Sequence, residues 1–295
     1  MTVDYKVLSS EFYSMWMDDP NLQAEWDIFE KLCWVVKEAT QNRLKTLSSS
    51  KNLIDIVEEV FKNNKETSFK DFYDAVIIMW NRILLRTCLK LQDSLEIMIY
   101  SCNTANAYGS ALAARSIIEH TALLNYLVQS VPWRTSKDIL QQPEKMFDFL
   151  ILLNNLAQGS TFDWSKLLSI SKPGSLKKIV ESGEWKRPKA EQIPHISALV
   201  KSLDKELSSH MNKRDEEGYI QFTYSALCDV VHPSWGSDFI YAAHMHDNMK
   251  ISKDFDNHFK GVMFIFGLTT IDVLRYFVVL IDFMVKNEPV LQPKS

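Results

Sequence analysis

The chain reads as an all-α, multi-helix bundle with long central helices, and three observations predict this class. Its 295 residues are 46% hydrophobic and 12% aromatic, enough apolar material for a substantial core. Only eight glycines and nine prolines are present, whereas hairpin-rich β folds need more turn formers. Apolar residues also recur at helical spacing over long stretches.

Taken in order, periodicity through Trp26, Phe29, Leu32, Cys33 and Val36 predicts a long helix from Asn21 to about Leu47, with Pro20 near its start. The segment NLIDIVEEVF (52–61) predicts a shorter helix, and residues 68–101 a second long one opened by Ser68 and Asp71. CNTANAYG (102–109) marks a break before ARSIIEHTALLNYL (114–127), and SVPW (130–133) ends that helix. Residues 158–194 hold Pro173, Pro188 and Pro194 with Gly159, Gly174 and Gly183, so short helices joined by exposed loops are expected there. Helices resume at about 195–210, 218–232 and 254–286. The expected organisation is a set of N-terminal helices (1–67) and a helical bundle core (68–295) that carries 158–194 as a looped insertion.

Thirty-three basic residues against 37 acidic ones leave a net charge of −4, which gives no global footprint for nucleic acid or anionic membrane. The local exception is the insertion, where Lys177, Lys178, Lys186, Arg187 and Lys189 cluster. The most apolar segment, 261–285, is interrupted by Asp272, Arg275 and Asp282. These fall within about 80° on a helical wheel, the narrow polar stripe of a buried helix rather than a membrane span. No membrane partner is therefore expected. The first residues lack a basic stretch followed by an apolar one, so the cytoplasm is the expected compartment. Cys33, Cys88, Cys102 and Cys228 are widely spaced without a CxxC pair and are expected as buried thiols.

The stretch 114–127 places three ionisable groups in otherwise apolar sequence. With Arg115 as the zero of the wheel, Glu119 lies at about 40° and Tyr108 and Tyr126 at about 20°, all on one face. The rest of the helix is apolar, which predicts a central element with Arg115 and Glu119 partly buried. Such a pair either fixes the register of neighbouring helices or belongs to a cleft where a site is built. Arginine preceding glutamate is the less favourable order for a helical pair, so local helix stabilisation explains little of it. His120, about 140° away, faces another side and reads as a core or interface histidine.

A second concentration of chemistry is YSALCDVVHPSWGSDF (224–239). Pro233 should end the helix at His232, near the negative end of the helix dipole. Ser225, Asp229 and His232 share a face, but Ser225 and His232 stand about 10.5 Å apart along the axis, too far for a hydrolase triad. HMH (244–246), with Asp238 and Asp247 nearby, lacks the spacing or partners of a strong metal motif. Neither GxGxxG nor GxxxxGK[ST] occurs, which removes P-loop nucleotide hydrolysis. No metal and no cofactor are expected.

The pairing of ALAARSIIEHTALLNYL with YSALCDVVHPSWG resembles an uncharacterised bacterial helical family with an Arg-x3-Glu helix followed by a Tyr…Ser…His-Pro-Ser helix end. The matching residues are Arg115, Glu119, Tyr224, Ser225, His232, Pro233 and Ser234, within about residues 70–285. The chain also looks like a distant relative of the HEPN superfamily, helical-bundle domains found in toxin–antitoxin and phage-defence systems. Nuclease members of that superfamily carry an Arg-x4-6-His motif, whose minimal spacing Arg115 and His120 match. Here Ser116 stands at the usual polar position after the arginine, and the motif lies in mid-chain.

The resemblance implies a metal-independent ribonuclease or RNA-acting toxin, with RNA, a second copy of the chain or a defence-system protein as partner. Arg115 would then work with His232 across two helices, or with His120 across a dimer, and the basic segment 177–189 would guide the RNA backbone. The alternative is a non-catalytic binding or adaptor module in which Arg115, Glu119, Tyr224 and His232 form a buried polar network.

Overall fold

In a computed structural model of the chain, the structure describes residues 20–47, 69–103, 107–131, 143–158, 178, 181–183, 193–210, 218–232 and 253–286. Seven long helices occupy them: α1 (Pro20–Leu47), α2 (Phe69–Asn103), α3 (Ala107–Gln129), α4 (Pro143–Gln158), α5 (Ile196–His210), α6 (Tyr219–Val231) and α7 (Lys253–Lys286). No strand occurs among the described residues, so the protein is all-α, as its periodicity predicts. No described helix is long and apolar enough to cross a membrane.

One helix, α4, is absent from the sequence expectations. Pro143 is its first residue, where a missing N–H costs nothing. Phe149, Leu150, Leu153 and Leu156 form its buried face at helical spacing. The expected helix at 52–61 lies outside the described residues, and so does the 158–194 insertion apart from its end residues 158, 193 and 194, Lys178, which is exposed and helical, and the short stretch 181–183.

The described helices belong to two compact units, each drawn from several stretches of the chain. The first lies within Met1–Asn42, Arg86–Tyr126 and Ile196–Phe283; the second within Arg43–Leu85, Leu127–His195 and Met284–Ser295. In the second unit the fully buried Trp80 of α2 meets Phe149 of α4, with ring centroids 5.9 Å apart and planes tilted by 47°. That offset geometry is the one aromatic quadrupoles favour.

In the first unit α3 hydrogen-bonds to α2, α6 and α7. Ala111, Ala114, Ile117, Ile118, Ala122 and Leu124 are all buried, and small alanines let neighbouring helices approach. Buried or half-buried polar pairs then fix its rotation. Ser116 bonds Ser94 of α2 at 2.8 Å, and Tyr276 of α7 donates to Asn125 Oδ1 at 3.1 Å. Helix α6 is tied to α7 by Thr223 and Thr269 at 3.1 Å, and by Tyr219 donating to Asp272 Oδ2 at 3.2 Å. Asp272 also accepts from Arg275 at 3.1 Å, so two of the three charges in the apolar 261–285 segment neutralise each other on α7. Cys88 is buried as expected, whereas Cys33 and Cys228 are only half-buried, and none of these three forms a disulfide.

Candidate functional site

The site is built where α6 crosses α3. Gly218 precedes α6 with φ 104°, a left-handed conformation open to glycine at little cost. The first turn of α6 is capped from another helix: Asp204 of α5, 2% exposed, accepts the Gly218 N–H at 2.6 Å and the Ile220 N–H at 3.1 Å. A carboxylate there satisfies donors that the helix itself leaves open and complements the positive end of its dipole. Ile220, Thr223, Tyr224, Leu227 and Val230 then line the buried face. At the other end, the residue before Pro233 is disfavoured in the α region. His232 accordingly leaves the helix with φ −91° and ψ 154°, its N–H still bonded to Cys228 O at 2.9 Å.

Four side chains converge. Arg115 Nε donates to Glu119 Oε1 at 2.8 Å, with the two side chains 21% and 27% exposed. The Tyr224 hydroxyl donates to the same Oε1 at 2.9 Å. Arg115 Nη1 stands 3.2 Å from His232 Nε2, across α3 and α6. A guanidinium only donates, so in this contact Nε2 accepts and the ring proton sits on Nδ1. His232 itself is exposed.

Burial works against the charged form of Arg115, but the hydrogen bond and negative charge of Glu119 outweigh it, and the guanidinium is held above its ordinary pKa. Burial, followed by the charge and hydrogen bond of Glu119, pushes the Tyr224 phenol upward, so it remains a donor throughout the physiological range. Glu119 thus serves two donors, fixing the fork of Arg115 so that Nη1 points toward His232.

The other sequence candidates are placed differently. His120 stands on another side of α3, where burial first, and then the charge of Lys90 on α2, lower its pKa to about 4; Glu119 opposes this more weakly, and Arg86 of α2 adds a last, smaller lowering. The Ser225 hydroxyl donates to Gln221 O at 2.9 Å on the exposed face of α6. Lys178 is exposed. Ser234, Lys177, Lys186, Arg187, Lys189, His244 and His246 lie outside the described residues. Among the described residues, no three His, Cys, Asp or Glu side chains gather as metal ligands would.

Two participants are missing from the sequence expectations. Cys228 lies one turn from both Tyr224 and His232, and its carbonyl accepts the His232 N–H at 2.9 Å. The i, i+4, i+8 spacing of Tyr224, Cys228 and His232 is the signal that finds it. Asp204 reads in sequence as one more acid on an amphipathic helix, and nothing local distinguishes it.

The chain matches no family model, no curated protein and no solved structure.

Proposed function

We propose that this chain is a HEPN-like helical protein of the toxin or phage-defence type, acting on RNA without needing a metal. The observation that carries this reading is the 3.2 Å approach of Arg115 Nη1 to His232 Nε2 at an exposed helix end. An entering phosphodiester would take over the Arg115 donors and release the Nε2 lone pair. His232 could then accept the proton of a ribose 2′-hydroxyl as that oxygen attacks phosphorus, and Arg115 would stabilise the charge gathering on the phosphoryl oxygens. The 5′ oxygen leaves and a 2′,3′-cyclic phosphate forms, with the imidazolium returning the proton to the leaving group. Glu119 and Tyr224 act one step back by orienting Arg115.

RNA integrity in cells expressing the wild-type chain or His232→Ala tests the reading. Degraded RNA with the wild type, and intact RNA with a folded His232→Ala protein, is the expected outcome. Arg115→Lys should also lose most activity, because a point charge cannot hold Glu119 and reach His232 or a phosphate at once. Intact RNA with the wild type would remove the proposal.

The second reading, a non-catalytic binding or adaptor module, is favoured by a different feature: Glu119 accepts from both Arg115 and Tyr224, the latter 7% exposed. Such a network can serve the fold alone. An His232→Ala protein that unfolds, rather than folding without activity, would favour it.

A further inference from the structure

Among the described residues, the ring of His232 touches one side chain, that of Arg115, and its backbone N–H is bonded to Cys228 O. The guanidinium is engaged at two of its three nitrogens, Nε by Glu119 and Nη1 by His232. Nη2 meets no protein acceptor among the described residues, and the Arg115 side chain is 21% exposed. The Nη1–Nη2 edge is the fork that takes an oxyanion in bidentate fashion, and it lies next to the exposed histidine.

Charge decides when that edge attracts an anion. Arg115 and Glu119 neutralise each other at 2.8 Å, so beside a neutral His232 the group presents no net charge. The contact as it stands requires that neutral form, because a guanidinium has no acceptor to offer an imidazolium. Protonation at Nε2 would place two cations 3.2 Å apart and leave the group with one net positive charge. An anion between the two then accepts from both. On the two helices that meet here, the other titratable groups beside the pair are Glu119 on α3 and Tyr224, Cys228 and Asp229 on α6. Arg115 and Tyr224 are both held above their ordinary pKa and keep their protons near neutrality.

We propose that Arg115 and His232 form a proton-operated latch, shut on itself while His232 is neutral and opened by a phosphate-class oxyanion that binds between them together with one proton. This rests on the reading of the pair as phosphate-facing, and not on RNA being cut. The balance is simple: the anion and one proton enter, Nε2 becomes N–H, and no other covalent bond changes. In the cleavage reading the same loaded state arises when His232 has taken the 2′-hydroxyl proton. The latch therefore holds most firmly when charge on the phosphoryl oxygens is greatest.

The probes are sulfate, which keeps its charge between about pH 5 and 8, and a short 2′-O-methyl oligonucleotide, which lacks the attacking hydroxyl. Proton resonances of the His232 ring, identified by their loss in His232→Asn, are followed against pH with and without each probe. The bound probe should move the titration midpoint upward. Affinity should fall roughly tenfold per pH unit above the midpoint of the free chain, the slope for one proton taken up. His232→Asn, an exposed change, should bind without that slope, which separates His232 from Cys228 and Asp229. Glu119→Gln keeps an acceptor for Arg115 and Tyr224 but removes the cancelling charge, so at the high-pH end it should bind sulfate at least about tenfold more tightly than the wild type.

A response to both probes assigns the latch to oxyanions of this class in general, and a response to the oligonucleotide alone assigns it to a strand phosphate. A His232 midpoint that neither probe moves, or the same pH dependence in wild type and His232→Asn, would overturn the latch. If RNA is cleaved while affinity is flat in pH, the cleavage reading survives and the latch falls. If binding takes up a proton but RNA stays intact, the latch survives and the cleavage reading falls.

Discussion

The guanidinium of Arg115 lies over the ring of Tyr224, 5.8 Å from its centroid, while both side chains donate to the same oxygen of Glu119. The cation is therefore held from its edge by a carboxylate and from its face by an aromatic ring. Such a three-part clamp restricts a side chain that would otherwise sample many rotamers.

Breaking the clamp should separate its parts. Tyr224→Phe keeps the ring and removes one hydrogen bond, and is expected to cost about 1 kcal/mol. Glu119→Ala strands two donors and should cost on the order of 3 kcal/mol, less to the extent that water reaches the partly exposed pair. Urea unfolding of the two single variants and the double variant measures both and their coupling. Equal, negligible effects would show that the clamp does not contribute to the fold.

Asp204 should matter more than its position in an ordinary amphipathic helix suggests. Its removal leaves the Gly218 and Ile220 N–H groups without the carboxylate that caps α6. Asp204→Ala is expected to lose roughly 2–6 kcal/mol, at 1–3 for each of the two groups left unsatisfied, and Asp204→Asn clearly less. Gly218→Ala meets no neighbouring atom but must adopt φ 104°, which should cost about 1–3 kcal/mol. Chemical denaturation of the three variants would reveal an order other than this one.

His120 gives the fold a specific acid response. Its pKa is depressed to about 4, whereas an unfolded histidine titrates near 6.5. Between these values the unfolded chain binds the extra proton, so the contribution of His120 is complete above about pH 6.5 and is lost as pH falls through 4. The loss should total on the order of 3 kcal/mol. Subtracting the stability profile of His120→Asn isolates this from carboxylates titrating in the same window; identical slopes for the two proteins would refute it.

The opposite sign applies to Tyr276. Burial, followed by the charge of Glu206, pushes its phenol up to about 12, and its hydroxyl donates to Asn125. Its contribution is intact below about pH 10 and disappears as pH rises toward 12, because the unfolded phenol ionises first. Alkaline unfolding monitored through tyrosinate absorbance should begin later in Tyr276→Phe, measured relative to that variant's own stability at neutral pH.

The legible parts of this protein are those encoded locally. Pro194, Gly218 and Pro233 delimit α5 and α6 in the sequence, and the observed helices, Ile196–His210 and Tyr219–Val231, follow them closely. The Arg115–Glu119 pair is readable from a spacing of four, and the exposed end position of His232 from the proline after it. What spacing cannot supply is the rotation of one helix against another. Glu119 shares a wheel face with Tyr108 and Tyr126, yet its hydrogen bond comes from Tyr224, 105 positions away. The influence of the Lys90 charge on His120, 30 positions away, likewise depends on how α2 lies against α3, where Ser94 meets Ser116. Helix α4 carries an adequate local signal in Leu150, Leu153 and Leu156, at helical spacing after Pro143.

The cap on α6 makes that helix a lever. Asp204 grips one end, and His232 projects from the other after about 13 residues, or about 20 Å. A tilt of about three degrees about the gripped end would carry the imidazole sideways by roughly 1 Å, enough to break a contact of 3.2 Å. The alignment of the exposed histidine with its arginine thus depends on a buried aspartate at the far end of the arm as well as on the bonds of Thr223 and Tyr224 along it, and substitutions around Asp204 should be felt at His232 before the fold itself gives way.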